Sequence, residues 1–119
     1  MQRHAFGETL RDTRPFVEPL RKEVKEFVTK KPDDSFSRYG LAMECINSGD
    51  PGAADTHFRV LLERNADYIP AYLMYGQLLA RESRTTEAKQ ILSTGIAAAA
   101  KKGDQHARSE METLFNELS

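Results

Sequence analysis

The chain has 119 residues, 39% hydrophobic and 29% charged, enough to bury one core without disulfides or a structural metal. Seventeen basic against eighteen acidic residues leave a formal charge of −1, so no overall field draws in a phosphate backbone or an anionic membrane, and neither nucleic acid nor membrane is an expected partner. The single cysteine, Cys45, rules out an intrachain disulfide and any multi-cysteine metal site.

Residues 1–15 show no sustained apolar period, mix charges with Gly7 and Thr9, and end at Pro15, so they read as an irregular or mobile lead-in. The start has no apolar core of signal-peptide length. The longest apolar run, Ile96 to Ala100, is far too short to span a bilayer, and the expected location is the cytoplasm. From about Glu18 to Lys30, Leu20, Val24, Phe27 and Val28 follow helical spacing, Phe16 and Val17 extend the stripe, and Arg21, Lys22, Lys25 and Glu26 face away. Pro19 suits the first turn of this amphipathic helix and Pro32 its end.

The next helix starts with Asp33 or Asp34 as its cap and runs to about Asn47, with Phe36, Tyr39, Gly40 and Met43 expected on one inward face. Asp50-Pro51 pairs a cap with proline at the first helical position, and Ala54, Phe58, Leu61 and Leu62 form an inward stripe to about Arg64. A second hairpin follows. Its first helix, from about Pro70 to Arg81, buries Tyr72, Tyr75, Gly76 and Leu79. Its second starts near Thr85 or Thr86 and buries Ala88, Ile91, Leu92, Gly95, Ile96 and Ala99 before Gly103 ends it in the left-handed region. Asp104 then caps a last helix marked by Ala107, Met111, Leu114, Phe115 and Leu118. The expected total is six helices and no strand.

The two hairpins repeat each other. Phe36 to Met43 returns as Tyr72 to Leu79 with the glycines, Gly40 and Gly76, 36 residues apart, and Ala54 with Phe58 returns as Ala88 with Leu92. A glycine inside a helix costs roughly 1 kcal/mol against alanine, so both glycines are expected to sit in close helix contacts. These residues resemble the tetratricopeptide repeat, a helix-turn-helix unit of about 34 residues. Phe36, Tyr39-Gly40 and Met43, like Tyr72, Tyr75-Gly76 and Leu79, match the first-helix pattern of that family; Ala54 with Phe58 and Ala88 with Leu92 match the second. The first unit appears longer by two residues around Ile46 to Ser48, and Gly95 stands in place of a more usual alanine. The resemblance implies an all-α fold, a right-handed superhelical stack of helical hairpins, within a single domain over 16–119: repeat one 33–68, repeat two 69–103, a capping helix 104–118. The helix from Glu18 either caps the stack or fills its groove.

The resemblance also implies a function, presentation of a concave face to a protein or peptide partner. The corresponding positions are Ser37, Arg38, Leu41 and Glu44, then Leu73, Met74, Gln77 and Arg81, then Arg108 and Glu112. Leu41, Leu73 and Met74 are expected as an exposed apolar patch on that face. Arg38, Arg81 and Arg108 could together receive a carboxylate through paired hydrogen bonds. The lysine and asparagines with which chaperone-tail binders of the family clamp a terminal carboxylate are missing, since Ser37, Leu41 and Met74 stand in their places. A homodimer filling its own groove is the alternative. The tyrosines Tyr39, Tyr72 and Tyr75 fall in the packing pattern. No catalytic constellation, metal-ligand spacing or phosphate loop is present: His4, His57 and His106 lie on separate segments and Cys45 has no activating partner in sequence. Neither an enzyme nor a cofactor is expected.

Overall fold

Each hairpin is punctuated by residues whose chemistry suits a helix end. The computed structural model describes residues 34–118, and among these it has five α-helices and no strand: α1 Ser35–Asn47, α2 Pro51–Arg64, α3 Ile69–Arg81, α4 Thr85–Lys102 and α5 Gln105–Glu117. The amphipathic stripe from Glu18 to Lys30 lies outside the described residues. Asp34, Asp50 and Asp104 cap α1, α2 and α5, each accepting from the backbone N–H three residues on, at 3.0, 3.1 and 3.1 Å, which satisfies an amide that the helix itself leaves unpaired. Gly103, at φ 78°, ends α4 in the left-handed region as expected.

α1 packs on α2 and α3 on α4 as two hairpins; α2 and α4 then contact α3 and α5 respectively, and α5 also leans on α3. The hairpins are offset by 34 residues at three boundaries: Ser35 and Ile69 open the first helices, Asn47 and Arg81 close them, and Pro51 and Thr85 open the second helices, the second of which runs on to Lys102. Their turns share one hydrogen-bond pattern, in which Asp50 N–H donates to the Cys45 carbonyl and Arg84 N–H to the Leu79 carbonyl, both at 2.8 Å. The left-handed residue of that turn is Gly49 in the first hairpin, at φ 77°, and Ser83 in the second, at φ 63°.

This 34-residue period corrects the sequence reading of α1. Leu41, expected on the outer face, is 1% exposed and takes the place that Tyr75 takes in α3; Ala42 and Cys45 likewise match Gly76 and Leu79, all buried. Phe36, expected to face inward, is 76% exposed. Gly40 is exposed, with no atom of the described residues within 4 Å of where its Cβ would stand, so it is not a packing glycine between the described helices. Nor is the first unit longer by two residues: Tyr39-Gly40 imitates Tyr75-Gly76 in type but sits two residues early in the repeat.

Among the described residues two clusters make up the core. One gathers Ala42, Cys45, Ala54, Phe58, Leu61, Tyr75 and Leu79 from both hairpins, and the other joins Ile69, Tyr72, Leu92, Ala99 and Met111 across α3, α4 and α5. Phe58 stacks on Tyr75 at 5.4 Å between ring centroids, and Tyr39 meets Phe58 edge-on at 6.4 Å, geometries that favour aromatic pairs beyond simple burial. Close approach occurs at Gly76, where a Cβ would lie 2.6 Å from Leu92 Cδ2, and at Gly95, where it would run into Tyr72 Cβ and stand 2.6 Å from Met111 Sδ. No helix among the described residues is long and apolar enough to cross a membrane.

Candidate binding groove

α3 presents two different sides to the surface. Its Leu73 and Gln77, one helical turn apart, meet His106, Ser109, Glu110, Thr113, Leu114 and Glu117 of α5 across an open groove of about 370 Å³. Its Tyr72, Tyr75 and Leu79 point the other way, where with Leu62 and Ile91 they floor a second cleft of about 490 Å³ between α2 and α4. The first lies on the side of the first helices of the hairpins, the second on the side of the second helices.

The larger cleft is crossed by bonds of the protein's own. The Tyr75 hydroxyl donates to Asp55 Oδ1 at 2.5 Å, Arg59 pairs with Asp55 Oδ2 at 2.8 Å, and Arg84 reaches both Asp55 at 3.7 Å and Glu87 at 2.7 Å. Burial pushes the Asp55 carboxyl up, but the Tyr75 hydroxyl and the two guanidinium groups together outweigh it and hold the group below its ordinary value. Burial and the Asp55 acceptor push the Tyr75 phenol up to about 12. The charges here fasten the first hairpin to the second and are already matched.

The groove between α3 and α5 has a different character. Leu73 and Leu114 are half-buried against the second core cluster and leave part of their surfaces to the groove. Around them stand polar residues, with Glu110 and Glu117 the acidic ones and, among the described residues, no lysine or arginine in the lining. His106 Nε2 lies 3.5 Å from Glu110 Oε1.

Of the residues expected on the partner-facing side, Leu73 and Gln77 line this groove. Arg81 and Met74 do not: Arg81 is exposed at the end of α3, and Met74 is half-buried against the first core cluster. Leu41 is in the interior. Ser37 donates its backbone N–H to the Asp34 cap. The three arginines do not form a cradle: Arg38 is half-buried, its pKa lowered by burial and by the nearby Arg64, while Arg108 Nε bonds Glu112 Oε2 at 3.2 Å. What the sequence reading missed was the groove face of α5, with His106, Glu110, Thr113 and Glu117. The signal was present: these residues recur at three- and four-residue spacing, on the side of α5 away from Met111. Among the described residues no group of three or more His, Cys, Asp or Glu is placed to hold a metal ion.

Comparison with known proteins gives a consistent picture. No family model matches the chain. A TPR repeat-containing protein of Pseudomonas aeruginosa is 25% identical over 95 residues, covering 80% of this chain and 90% of that protein. Among solved structures, a tetratricopeptide repeat domain protein from Salinibacter ruber is 32% identical with a TM-score of 0.71, over 74% of this chain and 89% of its own. The TPR2B domain of yeast Sti1, solved in its complex with pHsp70, has the same fold at 14% identity, with a TM-score of 0.78 over 89% of this chain and 85% of its own.

Proposed function

Because the chain belongs to the tetratricopeptide repeat family, we propose that it is a non-catalytic interaction module whose groove between α3 and α5 receives a segment of a partner protein. The observation that carries this reading is the pairing of Leu73 and Gln77 with the free face of α5 around an open concavity. Partly exposed apolar side chains ringed by polar groups are the usual make-up of a peptide-binding surface. The competing cleft is larger, but its charges are spent on the hairpin junction. The Sti1 domain, whose structure is that of a complex with pHsp70, supports a binding role for a fold of this kind.

Selection of binders from a displayed random-peptide library against the full chain tests the proposal. Binders are expected to be lost on Thr113→Trp, which fills the groove at an exposed position, and kept on Thr94→Trp, which fills the opposite cleft. The reverse pattern would overturn the assignment.

A second reading, self-association, is favoured by Phe36, the one large hydrophobic residue in the described chain that stands exposed. Light scattering over a range of concentrations decides it: a dimer that dissociates on Phe36→Ser supports this reading, and a concentration-independent monomer removes it.

A further inference from the structure

Glu110, Leu114 and Glu117 stand at i, i+4 and i+7 on one face of α5, so two carboxylates flank a leucine at a separation of two helical turns, about 10 Å. Across the groove Leu73 completes the apolar seat. Among the described residues nothing in the lining neutralises the carboxylates apart from His106, which is positive only when protonated. Arg108, on the same helix, is already engaged by Glu112, and Arg38 is half-buried and does not line the groove. Glu117 has no ion-pair partner among the described residues.

From this charge and spacing we infer that the groove takes a basic amphipathic helical segment. One apolar side chain of that segment seats between Leu73 and Leu114, and lysines or arginines one turn to either side of it face Glu110 and Glu117. Opposite charges at matching helical intervals fix register and orientation as well as attraction. The inference rests on the assignment of the groove as the binding face and adds the chemistry of what enters it. An acidic segment, or a terminal carboxylate, would meet like charge here.

The test uses the full chain and two fluorescein-labelled amphipathic helical peptides of equal length and identical apolar face, one with lysines and one with glutamates on the polar flanks, followed by anisotropy. The lysine peptide is expected to bind, to weaken about threefold to tenfold on Glu110→Gln with Glu117→Gln, and to weaken again when salt is raised from about 50 to about 500 mM. The glutamate peptide is expected not to bind. Equal or tighter binding of the glutamate peptide, an unchanged lysine-peptide affinity in the double variant, or binding of neither peptide would overturn the inference. Thr113→Trp separates the two levels: if it abolishes lysine-peptide binding while the glutamine pair has no effect, the groove stands and its charge preference falls; if the lysine peptide still binds, the groove itself is misassigned. Both glutamates are substantially exposed, so the glutamine variants fold.

Discussion

Replacing three helical glycines by alanine, one at a time, probes the packing of the stack most directly, because the same chemical change should act with opposite signs. Alanine gains roughly 0.5–1 kcal/mol over glycine in a helix interior through the smaller entropy lost on folding. At Gly40 nothing among the described residues opposes that gain, since none of their atoms lies within 4 Å of the new methyl and the residue is exposed. At Gly95 the methyl would strike Tyr72 Cβ, which moves only with the α3 backbone, and would lie 2.6 Å from the sulfur of the fully buried Met111. Overpacking of that kind costs about 1–3 kcal/mol, so the net for Gly95→Ala lies between about 0 and 2.5 kcal/mol of loss, and the two simultaneous clashes, one with an atom fixed to the α3 backbone, put it in the upper half of that range. Gly76 falls between them. Its nearest neighbours are the branched end of Leu92, at 2.6 and 2.8 Å, which is flexible in principle but has no exposed surface into which to turn. For a domain of this size 1 kcal/mol shifts the melting temperature by about 4–8 °C, so thermal unfolding by circular dichroism resolves all three, and urea unfolding with unchanged slope confirms that the native state is what changed. Gly40→Ala should melt higher than the parent and Gly95→Ala lower. If Gly40→Ala lost as much as Gly95→Ala, the 34-residue register of α1 would be wrong and the 36-residue one restored.

Three further outcomes are expected. Leu41→Ala should cost about 2–4 kcal/mol of unfolding free energy, as befits a buried leucine, whereas Phe36→Ala should fall within about 0.5 kcal/mol of the parent, both read by urea titration. Ser83→Gly should stabilise by about 0.5–1 kcal/mol in the same assay, because serine at φ 63° carries a steric cost that Gly49 avoids at the equivalent turn position. Tyr75→Phe should lose about 1–2 kcal/mol at pH 7 by removing a hydrogen bond to a carboxylate. It should also flatten the acid limb of the stability curve: the folded-state pKa of Asp55 is depressed, so its contribution is present above the ordinary carboxylate pKa and fades as pH falls through the folded value. Stability measured from about pH 7 down to about pH 2 should therefore show parent and variant converging toward the acid end. A constant gap would contradict the assigned role of that hydroxyl.

Helix limits were legible in the sequence wherever a residue carries an unambiguous local instruction. Asp50-Pro51, Asp104 and Gly103 mark their ends where the structure places them, because capping and the left-handed conformation are decided within a few residues. The second-helix pattern was legible too: Ala54 with Phe58 and Ala88 with Leu92 are all fully buried. The register of α1 was not. Tyr39-Gly40 looks like Tyr75-Gly76, but the small place beside the neighbouring helix is filled by Ala42 and the bulky one by Leu41, a pair common enough in any helix to pass unnoticed. Burial is settled by the neighbour's shape, which one strand of text does not carry. The same limit explains the candidate site. Leu73 and Gln77 do line the groove, α3 having been read in its true phase, while Leu41 was assigned to the wrong side with the rest of α1, and the acidic face of α5 could not be told from ordinary solvated charge until α3 was seen opposite it.

α5 contributes only one fully interior side chain, Met111, whereas α3 contributes seven buried residues. With its other apolar side chains only partly buried, the rim built on that single anchor is expected to loosen before α3 does, opening and reclosing while the hairpin of α3 and α4 holds. A guest that bridges α3 and α5 would clamp the rim shut, so its arrival should be registered as slowed amide exchange along the terminal helix, including turns that the guest never touches.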